Sequence, residues 1–217
     1  MRGAGRNRAL AVCLVGLAAY ALWAKVRLYG HLEYKLDLFG FLQMATAPLD
    51  GRLPLFENGW GRHAAIHNYF TVPMLLPAAA LLGAGGLFLC LVAAGLGAIA
   101  TLARLAGPLP PERRRLVEIV TLAFFVSPVA FWVLDDAPYG FHPELFFAPL
   151  AVVFGVGLIR RARWAWVAGA LLALTREDGP LVALAVHLTV SVALAEAEPA
   201  RSPGRRLGAW LGPVVSW

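Results

Sequence analysis

Charge is what this chain has least of. Only 15% of its 217 residues are Asp, Glu, Lys or Arg, against 59% hydrophobic, where a soluble domain carries roughly a quarter charged. The scarcity is also uneven. Between Arg62 and Arg104 there is not one Asp, Glu, Lys or Arg. A soluble fold cannot solvate so long a stretch, whereas a bilayer requires no solvation there. Cysteine is scarce too. Cys13 and Cys90 both lie inside apolar runs, as small buried hydrophobes do, and their number and spacing exclude a disulfide framework or a structural zinc site. The absence of an internal repeat excludes a solenoid.

The basic charges that remain do not indicate nucleic acid. The sequence pI is about 9.9, but no basic stripe interleaves with aromatics on a polar surface. The Arg residues stand instead in short clusters between apolar runs, as they do in cytoplasmic loops of membrane proteins. The first cluster, Arg2, Arg6 and Arg8, precedes an uncharged run from Ala9 to Ala24. That is the charge pattern of a secretory signal. However, Leu22-Trp23-Ala24 lacks a small-x-small cleavage site, and the run continues through Val26, Leu28 and Tyr29. The pattern predicts an uncleaved first helix with a cytoplasmic N-terminus.

The expected fold is all-α: a polytopic membrane helix bundle forming a single transmembrane domain over 1–217. Crossings are expected at about 9–29, 85–103, 116–134, 145–159, 164–178 and 180–195, with another beginning at 207. That last run stops at Trp217, which reads as the N-terminal portion of a longer chain. A crossing needs about 20 residues. The run at 68–83 is shorter and contains Pro73 and Pro77, so an interfacial or re-entrant segment is expected there.

The positive-inside rule supports that choice. If 68–83 does not cross, the cytoplasmic segments hold Arg2, Arg6, Arg8, Arg104, Arg113, Arg114, Arg115, Arg160, Arg161, Arg163, Arg201, Arg205 and Arg206. These are most of the 19 basic residues. The acids run the other way: Glu33, Asp37, Asp50, Glu57, Asp135, Asp136, Glu144, Glu177 and Asp178 face out. If 68–83 crossed, three of the four Arg clusters would be exported. The 164–175 run is the weakest crossing, and needs Arg163 and Arg176 to snorkel toward the two interfaces.

Three outer segments carry the chemistry. The first is the long loop of about 30–67, with its juxtamembrane helices. It contains Leu36-Asp37-Leu38-Phe39-Gly40-Phe41-Leu42-Gln43, where Asp37 shares a helical side with Phe41 and Met44. An acid in so apolar a stretch is costly without a partner. It is either a catalytic base or metal ligand at the membrane surface, or a helix-start acid favoured by the helix dipole. Arg62, His63 and His67 close the loop. They can hold a lipid phosphate or simply anchor the chain at the interface.

The second segment, Asp135-Asp136-Ala137-Pro138-Tyr139-Gly140-Phe141-His142-Pro143-Glu144, offers oxygen and imidazole ligands to a divalent cation. Asp135, Asp136 and Glu144 are the candidate metal ligands, for Mg or Mn. Equally, Pro143 can start a helix whose dipole Glu144 complements. The third segment, Thr175-Arg176-Glu177-Asp178-Gly179-Pro180, either completes a site with Asp37 or is a polar turn of the kind Gly and Pro favour.

Asp37 to Gln43, then His67 with the later Pro77, then Phe141-His142-Pro143-Glu144, then Thr175-Arg176-Glu177-Asp178 resemble, in that order, a family of predicted bacterial membrane proteins known as domain of unknown function 2079. That family looks related to the GT-C-type membrane glycosyltransferases that use polyprenyl-phosphate sugars. The resemblance implies a GT-C-like bundle in the bacterial plasma membrane, with a lipid-linked sugar donor and membrane lipids as partners. It implies that Asp37 is the catalytic acid of the first outer loop. It also implies that His67 is the basic residue contacting donor phosphate before a short Pro-containing helix, and that Asp135 or Asp136 is the acid of the second outer loop. Gln43, Arg62, His142, Arg176, Glu177 and Asp178 join His67 as candidate substrate-binding residues. Two other function classes fit the composition: a transporter or flippase of a lipid-linked solute, and a non-enzymatic scaffold or degenerate fragment. Against a transporter, the helix centres are nearly free of charge and lack the repeats of broken-helix transport sites.

Overall fold

The computed structural model describes residues 2–34, 36–59, 61–62, 67, 69–106, 110 and 139–197. The expected crossing at 116–134, the start of another at 207, and His63, Asp135 and Asp136 lie outside the described residues.

The described chain is largely helical. Helix α1 (Arg2–Gly30) is followed by a turn and the short helix α2 (Leu36–Thr46). A 3-10 turn at Ala47–Asp50 leads into a two-stranded hairpin, β1 (Phe56–Glu57) and β2 (Gly61–Arg62), in which Phe56 pairs with Arg62 and Glu57 with Gly61. A second 3-10 turn, Val72–Leu75, runs into α3 (Leu76–Leu82). The long helix α4 covers Ala84–Ala106. After a third 3-10 turn, Pro143–Phe146, come α5 (Phe147–Ile159), α6 (Trp164–Ala173) and α7 (Gly179–Ala197).

Helix α4 has 23 residues, or about 34 Å at 1.5 Å per residue, enough for a hydrocarbon core of about 30 Å. Among the described residues it is the one helix whose length and composition suit a crossing. Helix α6 has 10 residues, so it covers only about 15 Å. The stretch Val72–Leu82 is likewise short. Pro73 and Pro77 sit at the starts of its two turns, where the missing N–H costs nothing. Gly83 then breaks the helix with positive φ, and α3 lies against the first turns of α4. That approach requires Gly86, since a Cβ there would come within 2.1 Å of the Ala78 carbonyl oxygen.

Two cores organise the described residues. One gathers Leu38, Phe41, Met44 and Ala45 of α2 with Leu87, Phe88 and Leu91 of α4, together with Phe141, Leu145 and Phe146. The other joins Phe154 of α5 to Ala165, Ala168 and Leu172 of α6, with Val182 and Val186 of α7 packed against it. Helix α5 bridges the two, packing on α4, α6 and α7. At its far end the Arg160 guanidinium donates to the Arg104 carbonyl at 2.6 Å, which brings the C-terminal ends of α4 and α5 together. The opposite face of α7 exposes Leu181, Leu184, Leu188 and Val192. Such a stripe is a liability in water and an ordinary lipid-facing surface in a bilayer.

Candidate functional site

The site assembles at the end of the bundle where α1 ends, α5 begins and α6 turns into α7. Helix α2 forms because a stripe of Leu38, Phe41, Met44 and Ala45 repeats at helical spacing and is buried. Asp37, in its first turn, complements the positive helix end and stands at the exposed edge of that stripe.

His142 is extended and precedes the Pro143–Phe146 turn, so Pro143 does start a helical segment. The His142 carbonyl accepts from the Leu145 N–H at 3.1 Å. Its ring lies edge-on to Phe41 and Tyr139, with centroids 5.2 and 5.1 Å away. In that position Nε2 is 3.5 Å from Asp37 Oδ2 and Nδ1 is 3.5 Å from Glu144 Oε2.

Arg176 continues the series from the α6–α7 turn. Its Nη1 donates to Glu144 Oε1 at 2.7 Å and its Nε to Glu177 Oε1 at 3.3 Å. The same Glu177 oxygen is 3.0 Å from His67 Nδ1. Backbone bonds hold these segments together. The Thr71 N–H donates to the Leu174 carbonyl at 3.2 Å, tying the His67 segment to the α6–α7 turn. Thr175 is buried, and its hydroxyl donates to the Leu171 carbonyl at 2.8 Å. The result is one continuous series: Asp37, His142, Glu144, Arg176, Glu177, His67.

Three carboxylates therefore share one guanidinium and two imidazoles, and the acidities of Glu144 and Glu177 reflect it. Burial pushes the Glu144 carboxyl up, but the bond from His142 and the positive charge of Arg176 outweigh it and hold Glu144 below its ordinary range. Burial pushes the Glu177 carboxyl up as well. Its own backbone N–H, His67 and Arg176 bring it down to about 2. Burial pulls Arg176 down, yet Glu144 and Glu177 raise it overall. Tyr69 packs beside His67 and Phe41. Burial and the negative charge of Glu144, Glu177 and Asp37 push its phenol up to about 12, against the opposing pull of Arg176. Tyr69 thus remains a neutral hydrogen-bonding group at any physiological pH.

The other expected residues stand elsewhere. The Gln43 side-chain oxygen accepts from the Asn58 N–H at 3.1 Å, which ties α2 to the hairpin. Arg62 lies on β2 of that hairpin, paired with Phe56. Asp178 starts α7, where its carbonyl accepts from Leu181 and Val182. Glu144 faces Arg176 and His142. Among the described residues, no three His, Cys, Asp or Glu side chains converge to hold a metal ion.

A family model described as "Predicted membrane protein (DUF2079)" matches residues 28–209. The chain belongs to this family. No curated protein and no solved structure matches the chain. In this DUF2079 protein the matched span includes every member of the series from Asp37 to Glu177.

Three residues of the DUF2079 protein escaped the sequence analysis as members or supports of the site. Tyr69 gave no signal beyond its closeness to His67. Glu57 stands among the acids expected on the outer side, and in the fold it is buried and accepts from the Gly59 N–H at 3.0 Å. Lys25, the first charge after the uncharged run that ends at Ala24, is 1% exposed. A lysine so near an apolar run was the available clue.

Proposed function

We propose that this protein is the membrane part of a glycosyltransferase that moves a sugar from a polyprenyl-phosphate donor to an acceptor hydroxyl at the outer face of the bacterial plasma membrane. In this reading the bundle is polytopic and GT-C-like, with a cytoplasmic N-terminus. The observation that carries it is the series from Asp37 to His67, which joins all four family segments into one polar site on an otherwise apolar helix bundle. Polar groups in a membrane enzyme belong where the substrate head lies.

Asp37 is the general base. It takes the proton of the acceptor hydroxyl as that oxygen attacks the anomeric carbon. The bond from that carbon to the phosphate oxygen breaks, and its electron pair leaves with the polyprenyl phosphate. His142, beside Asp37, orients the carboxylate and shares its proton. His67 is the donor-phosphate contact, with Arg62 near the same loop. Arg176 has Nε and Nη1 engaged by Glu177 and Glu144, so its part is to hold those two acids, and through them His67 and His142, in register. Gln43 and Asp178 shape the rim of the site. Glu144 with Asp135 or Asp136 would hold a Mg or Mn ion, which would supply positive charge to the leaving phosphate, and no step here runs through it.

The test is release of polyprenyl phosphate when the purified protein meets a panel of lipid-linked sugar donors in membrane lipid extract, with and without a chelator. Asp37→Asn is expected to abolish release while leaving expression and melting temperature unchanged. Full activity in that variant would remove Asp37 from the mechanism. Solute uptake into proteoliposomes with no product formed would replace the transferase reading with a transporter.

A further inference from the structure

Lysine is among the residues least often fully buried, and removing an ammonium from water is unfavourable unless it is well partnered. Lys25 of α1 is 1% exposed, among the most completely buried large side chains of the described residues. Its surroundings are aromatic. Nζ lies 5.8 Å from the centroid of Tyr34 and 5.4 Å from that of Phe88, within reach of a cation–π attraction. A methionine would fill the same space without that cost. What the ammonium adds is a hydrogen bond across 115 residues of sequence, to the Gly140 carbonyl at 2.9 Å.

Gly140 is the last residue before Phe141-His142. Its φ is +77°, and a Cβ there would meet the Tyr34 ring at 2.6 Å. Tyr34 therefore presses on one side of this peptide while Lys25 holds its carbonyl. Phe141 follows, fully buried and edge-on to Phe41 and Phe146, and then comes His142. Both contacts of the His142 ring, to Asp37 and to Glu144, are 3.5 Å long. Contacts of that length tolerate little movement of the backbone that carries the ring.

We propose that Lys25 is a positioning residue: its ammonium pins the Gly140 carbonyl so that the His142 ring stays between Asp37 and Glu144. The device holds whatever reaction the site performs. It makes the first helix a part of the site, although that helix contributes no side chain to the polar series.

The test uses ring-¹⁵N histidine spectra of the full chain in lipid nanodiscs. The His142 and His67 signals are assigned with His142→Gln and His67→Gln. In Lys25→Met the His142 ring signals are expected to shift, while those of His67, beyond Arg176 and Glu177, stay in place. Unmoved His142 signals would overturn the proposal. So would equal displacement of both rings, because that reports general loosening. If the methionine variant does not accumulate, Lys25→Gln takes its place, since its amide keeps an N–H donor on a side chain only slightly shorter. In that variant native-like His142 signals are expected, and joint displacement of His142 and His67 counts against a local pin. Failure of both variants to accumulate also overturns it, since Lys25 would then serve the fold as a whole.

Discussion

Replacing Arg176 with methionine separates a clamp from a ligand. The guanidinium donates to Glu144 at 2.7 Å and to Glu177 at 3.3 Å. An exposed ion pair contributes about 0–1 kcal/mol, whereas breaking a buried one costs about 3–5 kcal/mol because a charge is left unpaired. The Arg176 side chain is 34% exposed and that of Glu144 is 21% exposed, which places this pair between those limits. After allowance for solvent screening, Arg176→Met should cost about 1–2 kcal/mol. For a domain of this size that corresponds to a fall in Tm of about 2–8 °C. The same change removes one of the influences that hold the Glu144 carboxyl down, so it should titrate at higher pH than in the native protein. Because most of the cost is an orphaned carboxylate, Glu144→Gln in the Arg176→Met background should recover part of the loss. The assay is a melt of the native protein, both single variants and the double variant at neutral pH. Additive losses within about 0.5 kcal/mol would refute the clamp and return Arg176 to the set of free phosphate ligands.

Acid should loosen the site in a defined window. Glu177 titrates at about 2 in the fold against an ordinary 4.5, so its contribution is fully present above about pH 4.5 and is lost as the pH falls toward 2. Glu144 is displaced in the same direction. Glu177→Gln should therefore flatten the fall in Tm between about pH 5 and pH 3, and parallel curves for variant and native protein would contradict the assignment. Gly140→Ala should destabilise by about 2–4 kcal/mol, through left-handed backbone strain and overpacking against Tyr34; a native-like melt would show that the peptide can move away from the ring. Phe41→Ala should cost about 3–5 kcal/mol as a core truncation. Because Phe41 contacts Tyr69, Phe141 and His142, it should also advance Tyr69 ionisation below about pH 12, visible as phenolate absorbance.

Much of this protein was legible in its residues alone. The long uncharged run that became α4 could be seen because apolar length is a local property, and it needs no partner to be recognised. The segments later joined into one site could likewise be picked out one by one. An acid, a histidine or an arginine is conspicuous when the sequence around it is apolar, and charge asymmetry placed the candidates on a common side. Pro73 and Pro77 marked the run after Thr71 as interrupted, since proline acts on its own backbone, and a 3-10 turn and α3 stand there.

Pairings were not legible, because they depend on distances between residues far apart in the chain. Only the tertiary structure engaged Arg176 with two acids, and only it set His142 between Asp37 and Glu144. It also moved Gln43 and Arg62 into the company of the hairpin. Lys25 is the clearest case. Read locally, it is a charge at the end of a helix; in the fold, Gly140, Tyr34 and Phe88 close around it. Local sequence determines which groups are costly to bury, and only packing decides which of them are buried and what compensates the cost.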